Sequence, residues 1–137
     1  MKRGFADADF LIALLYPNVQ LNATARAAAR ALGQVRLVTS EMVLTEVLAF
    51  YADKGPTLRE AAASTVRELC SNPNVTIIPQ TSLQFQDALS LYRQREDKEW
   101  SLTDCASFLI MREQALTEAL THDHHFEQAE FKALLRE

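Results

Sequence analysis

The sequence predicts an α/β domain with a mainly parallel central sheet. Three observations carry this prediction. Short apolar, β-branched runs alternate with longer helical segments, as in strand–helix–strand units joined by right-handed crossovers. Breaks between segments fall at a few Gly, Pro and Asn positions. Carboxylates stand just past two of the strand-like runs, where parallel folds place their sites.

Gly4 to Ala6 reads as a short buried strand ended by Asp7. Phe10 to Tyr16 reads as a helix, with Asp9 as its N-cap and Pro17 closing it. The Ala-rich stretch Leu21 to Leu32 is a second helix, stopped at Gly33. Arg36 to Thr39 gives the next strand, and Ser40 caps a helix running to about Lys54, where Gly55-Pro56 breaks it. Another helix covers Leu58 to Cys70. Asn72-Pro73-Asn74 turns the chain into a third strand, Val75 to Pro79. Ser82 to about Arg95 is helical, Ser101 caps a helix to Gln114, and Ala119 to Thr121 is a fourth strand. Phe131 to Leu135 reads as either a last edge strand or a helix.

At 137 residues the chain fits one domain with a real core. A net charge of -4 argues against a broad basic surface for tight nonspecific binding to duplex nucleic acid. It leaves room for a nuclease whose acidic site holds cations that meet the phosphates. Cys70 and Cys105 lack a CxxC spacing and read as two buried, reduced thiols. The opening MKRGFADADF is no signal peptide, and the uncharged apolar runs are shorter than the ~18 residues a membrane span needs. A cytoplasmic protein with no membrane association is expected.

Four carboxylates keep unusual company. Asp7 sits between Phe5 and the run FLIALL, at the carboxyl edge of a central strand; the plainer reading is a helix cap, for which Asp9 is better spaced. Glu46 has only apolar residues three and four positions away (Met42, Val43, Ala49, Phe50), which places it on the core-facing side of its helix. Otherwise it shares an outward stripe with Thr45 and Asp53. Asp104 is the only charge between Glu99 and Arg112, although Ser101-x-x-Asp104 also makes a near-capping box. Asp123 follows the fourth strand as Asp7 follows the first, or else is a turn residue.

Should the four converge, each pair at ~5 Å repels by roughly 3 kcal/mol at an effective dielectric near 20. Either some protonate or a cation sits among them. No Lys or Arg lies within three residues of any of the four, so a divalent ion is the natural partner, and oxygen ligands favour Mg²⁺ or Mn²⁺ over zinc.

In the order DADFLIALL, SEMVLTEVLAF, DKEWSLTDCASFLIM and ALTHDHHFEQAEF, these segments resemble the PIN-domain ribonucleases, and most closely the VapC-like toxins of bacterial toxin–antitoxin pairs. The resemblance implies a single nuclease domain over 1–137, folded as a three-layer α/β/α sandwich. It further implies a Mg²⁺- or Mn²⁺-dependent endoribonuclease, with Asp7 and Asp104 as the principal metal ligands beside Glu46 and Asp123. RNA would be the substrate and a cognate antitoxin the partner. The helices between Thr24 and Lys54 and the Leu58–Cys70 face are candidate surfaces for a homodimer or for the antitoxin. Two positions depart from the family pattern. Asp9 stands where Ser, Thr or Asn is usual, adding charge near the site. Glu130 stands where Gly often precedes the final Phe.

His122, His124 and His125 raise the question of zinc, but adjacent histidines are expected to point apart, and a surface turn is the default. Trp100 reads as core packing rather than a base-stacking platform, Asp97-Lys98 as an ion pair near the site entrance, and Arg26 and Arg30 as a solvated face. Two rival functions were weighed. One is a catalytically inactive PIN-fold module that only binds a partner. The other is an aspartate phosphatase using Asp7-Ala8-Asp9, which lacks that family's later motifs and has Phe10 where glycine is usual.

Overall fold

The computed structural model describes residues 2–16, 18 and 20–136. Its strands are β1 (Lys2–Ala6), β2 (Val35–Ser40), β3 (Val75–Ile78), β4 (Glu118–Leu120) and β5 (Lys132–Ala133). They form one sheet in the order β3-β2-β1-β4-β5, and every pairing is parallel. The helices are α1 (Ala8–Leu15), α2 (Asn22–Leu32), α3 (Glu41–Tyr51), α4 (Pro56–Ser71), α5 (Ser82–Gln94), α6 (Leu102–Glu113) and α7 (His124–Gln128).

The strand order fixes the layers. The chain steps outward from β1 to β2 to β3, then returns across the sheet to β4 and β5. Right-handed crossovers therefore put α1–α4 on one face and α5–α7 on the other. Packing agrees: α1 meets α2 and α3, and α3 meets α4, whereas α5 packs on α6 and α6 on α7. This is the expected three-layer sandwich, with β1 at its centre. The reversal of direction falls between β1 and β4, so the crevice beyond their carboxyl ends is the natural site.

Local chemistry explains most element ends. The Ser40 hydroxyl accepts from Val43 N at 3.1 Å, and the Thr81 hydroxyl caps α5 in the same way at 3.0 Å. Gly55 precedes α4 with φ 91°, and Pro56 holds the first helical position. Both α6 and α7 close through a left-handed residue that is not glycine, Ala115 (φ 56°) and Glu130 (φ 72°). In α7 the Glu130 amide donates to Glu127 O at 2.9 Å and the Phe131 amide to Phe126 O at 2.9 Å, the bond pair of a Schellman ending. The backbone at Glu130 is thus the one for which glycine is favoured.

The core lies on both faces of the sheet. Beneath the site, Phe108 sits edge-on between Trp100 (4.8 Å) and Phe126 (5.0 Å), and Phe126 leans on Phe5. Trp100 is buried and donates to Gln128 Oε1 at 2.9 Å, as a packing residue would. Across the sheet, the Tyr51 hydroxyl donates to Ile12 O at 2.7 Å, and burial raises its pKa to about 12.

Several local expectations need correction. α1 begins two residues early, so Asp7 occupies the N-cap position and Asp9 lies in the first turn rather than capping. The helix-closing role of Pro17 lies outside the described residues. Phe131–Leu135 contributes a two-residue edge strand, not a helix. Cys105 is buried but Cys70 is exposed, and both are free thiols. Among the described residues no helix is long and apolar enough to cross a membrane.

Candidate active site

The sheet delivers the acids to one edge. Asp7 is the first residue past β1, and its amide donates to Leu120 O at 3.2 Å, joining the ends of β1 and β4. Two residues later, α1 carries Asp9 on its first turn. Thr121, just past β4, lies between them. Its hydroxyl is 2.9 Å from Asp7 Oδ2 and 3.2 Å from Asp9 Oδ2, and its oxygen accepts from Asp123 N at 3.1 Å. A threonine has one hydroxyl proton, so it can serve only one of the two carboxylates at a time. The His122 amide donates to Asp9 Oδ2 at 2.8 Å, while Asp9 Oδ1 is buried with no partner.

α6 and α7 bring the second pair. Ser101 and Asp104 form a full capping box: the Ser101 hydroxyl accepts from Asp104 N, and Asp104 Oδ2 accepts from Ser101 N, each at 3.0 Å. The same Asp104 oxygen is 3.0 Å from His125 Nδ1, which is 3.3 Å from Asp123 Oδ1. Asp123 also caps α7, accepting from His125 N at 2.9 Å. Capping and site geometry are therefore not alternatives for Asp104 and Asp123; the caps hold the carboxylates in place.

Glu46 reaches the cluster from α3 and corrects its expected placement. It is an exposed residue, as is Ala49, and Phe50 is only half-buried; the core side of α3 is Met42, Val43, Leu44, Val47 and Tyr51. Its carboxyl nevertheless borders the acids. Partial burial raises its pKa, the Thr103 hydroxyl offsets part of the rise, and the charges of Asp104, Asp123 and Asp9 add to it. Glu46 is a rim residue over the cleft.

The electrostatics are those of crowded anions. Burial lifts the Asp7 carboxyl well above the usual carboxylate range, and the Asp9 charge lifts it further. Asp9 and Asp104 are also raised, each mainly by burial and then partly held down by hydrogen bonds; Asp123 pushes both upward. Among the described residues, none of the five acids is ion-paired with a Lys or Arg; Asp104 and Asp123 instead face imidazole nitrogens of His125 and, for Asp123, His124. The expected Asp97–Lys98 pair is present at 3.9 Å, and Asp97 also takes a closer contact from Arg95 at 3.0 Å, all three side chains being at least partly exposed.

This donor set fits a divalent ion: clustered hard oxygens, raised carboxyls, one buried oxygen without a partner and, among the described residues, no Lys or Arg paired to them. The structure thus gathers the acids as two linked pairs, Asp7 with Asp9 through Thr121 and Asp104 with Asp123 through His125, with Glu46 near enough for its carboxyl to feel the charges of Asp104, Asp123 and Asp9. Sequence reasoning missed Thr121 and His125 as the residues linking the acids in pairs. Their only signal was position, a polar residue at the end of β4 and a histidine two residues past an acid.

A model of the PIN domain matches residues 5–132. The chain belongs to the PIN-domain family. Among solved structures it is similar to VapC20 of Mycobacterium tuberculosis, described as a sarcin-ricin loop cleaving toxin. The identity is 25%, the TM-score 0.81, and the match covers 93% of this chain and 95% of that one. No curated protein sequence matches the chain. PIN membership, with a VapC-like likeness over nearly the whole chain, supports a nuclease and removes the phosphatase reading of Asp7-Ala8-Asp9.

Proposed function

We propose that this chain is a Mg²⁺- or Mn²⁺-dependent endoribonuclease, the toxin of a toxin–antitoxin pair, with 1–137 as one catalytic domain. One observation carries the reading: carboxylates from the ends of β1 and β4 and from α1, α3 and α6 gather at the β1/β4 switch point and, among the described residues, no Lys or Arg pairs with them. The RNA substrate and the antitoxin follow from the likeness to a toxin described as cleaving the sarcin-ricin loop. A homodimer and a cytoplasmic location are part of the same reading.

Asp7 and Asp104 are the residues that would hold the ion, with Asp9 and Asp123 beside them and Glu46 at the rim. A divalent ion in this ring supplies positive charge against the phosphodiester and makes water more acidic. The chain does the rest. Asp104 keeps its position through the Ser101 box, so its carboxylate meets the substrate pre-oriented. Glu46, exposed enough to meet solvent and with a raised pKa, is suited to orient a water and receive its proton. Asp123, fixed by the His125 amide, orients it from the other side. Water adds to phosphorus in line with the 3′ oxygen and gives its proton to Glu46; the P–O3′ bond breaks, the 3′ oxygen takes up a proton from solvent, and the product keeps a 5′ phosphate. An open cavity of about 520 Å³ lined by Asp9, Gln20, Leu21, Thr24, His122 and Leu135 adjoins the acids and gives the strand a place to lie.

Asp104→Asn tests this. The amide oxygen can still accept from Ser101 N, so the fold is kept while the charge is lost. RNA cleavage in Mg²⁺ should fall at least a hundredfold, and EDTA should abolish it in the wild type. Cleavage by the variant at the wild-type rate would end the assignment.

A further inference from the structure

Asp123, His124 and His125 each offer one ligand atom, and these atoms all lie within 4.8 Å of one another. We propose that these three residues form a second metal subsite, for Zn²⁺ or a similar transition ion rather than Mg²⁺, whose filling inhibits the nuclease by withdrawing Asp123 from the acidic ring. The inhibitory half rests on the ribonuclease reading; the binding half does not.

The geometry contradicts the expectation that neighbouring histidines point apart. The His124 and His125 rings are 4.5 Å apart between centroids, and both Nδ1 atoms face Asp123 Oδ1, at 3.8 and 3.3 Å. The tight turn into α7 causes this: the Asp123 side chain accepts from the His125 amide and folds back over the helix start. Ligands on a tetrahedral ion with bonds of about 2.0–2.1 Å lie about 3.3 Å from one another. The observed separations, 3.3 and 3.8 Å from Asp123 Oδ1, sit around that value, so small side-chain adjustments suffice. His125 Nδ1 is also 3.0 Å from Asp104 Oδ2, a contact that ties the subsite to the acid on α6.

Ligand chemistry then separates two metal preferences. Asp7 and Asp9 offer oxygens alone, the choice of Mg²⁺. Two imidazoles and a carboxylate favour zinc and its neighbours, which bind nitrogen far better than magnesium does. His124 is exposed, so an ion reaches the subsite from solvent without opening the core. Asp123 is the shared residue. An ion held between it and the imidazoles draws its carboxylate toward α7, and the ring loses a member it needs for orienting water.

The test uses the full chain stripped of metal, with ZnCl₂ as the probe. Titration calorimetry in millimolar Mg²⁺ is expected to show one Zn²⁺ per chain, bound at least tenfold more weakly by His124→Ala and by His124→Gln. Co²⁺ in place of Zn²⁺ should give a visible absorption band of tetrahedral intensity in the wild type, lost in both variants. RNA cleavage in Mg²⁺ should fall with the same Zn²⁺ midpoint as binding. Equal Zn²⁺ affinity in wild type and both variants overturns the subsite. Binding that depends on His124 without loss of cleavage overturns the inhibitory half. Should Zn²⁺ bind through His124 while the wild type cleaves no RNA in Mg²⁺ or Mn²⁺, the nuclease reading fails and the subsite stands.

Discussion

Replacing Asp9 by Asn should stabilise the metal-free protein. Asp7 Oδ2 and Asp9 Oδ2 both contact the Thr121 hydroxyl, at 2.9 and 3.2 Å, so the two oxygens are at most about 6 Å apart. Two full charges at that distance repel by about 3 kcal/mol at an effective dielectric near 20. Partial protonation and salt reduce this, leaving an expected gain of roughly 1–2 kcal/mol, or a Tm rise of about 3–8 °C for a chain of this size. An asparagine oxygen can still accept from the His122 amide, so little bonding is lost. The dependence on pH follows from the raised carboxyls of Asp7, Asp9, Glu46 and Asp104. Each binds its proton more tightly folded than unfolded. Their contribution is full below the ordinary carboxylate range and is lost as pH rises through the raised values. In EDTA the wild type should therefore weaken as pH rises above the ordinary carboxylate range, and Asp9→Asn should weaken less. Mg²⁺ should reverse the order, because the wild type has the more charged ring to bind it. Urea unfolding at several pH values, with EDTA or Mg²⁺, measures all of this. A lower Tm for the variant in EDTA, or an advantage that Mg²⁺ leaves undiminished, would refute the reasoning.

Further outcomes test the scaffold around the acids. Thr121→Val removes the hydroxyl that serves Asp7 and leaves the Asp123 amide without its acceptor; stability should drop by about 1–2 kcal/mol and Mg²⁺ affinity should fall, read by urea unfolding and calorimetry. Glu130→Gly places glycine at the left-handed end of α7 and should raise stability by about 0.5–1 kcal/mol with no change in cleavage, measured by thermal unfolding and an RNA assay.

The alternation of elements was legible because Ser40, Gly55-Pro56, Asn72-Pro73 and Ser101 mark boundaries by local chemistry that tertiary packing did not override. α7 was not, since five residues are too few to show a helical period. Glu46 teaches a different lesson. Its apolar neighbours three and four residues away suggested the core, yet Ala49 is exposed and Phe50 only half-buried, so apolar identity there does not mark a buried face. Asp9 was misread as a cap because helix starts are uncertain by a residue or two. Thr121 and His125 were invisible as site residues for a simpler reason. They meet their acids across 114 and 21 residues of chain, and no local pattern encodes such contacts.

The strand order also dictates when the acidic ring can exist. Asp7 and Glu46 are made early, but the residues that link the acids in pairs, Thr121 and His125, come from the final turn of the sheet. During synthesis, a chain that stops short of β4 carries Asp7, Asp9, Glu46 and Asp104 but lacks Asp123, the linking residues Thr121 and His125, and the strand that seats beside β1. The arrangement therefore closes all at once, when β4 and the turn into α7 have been made.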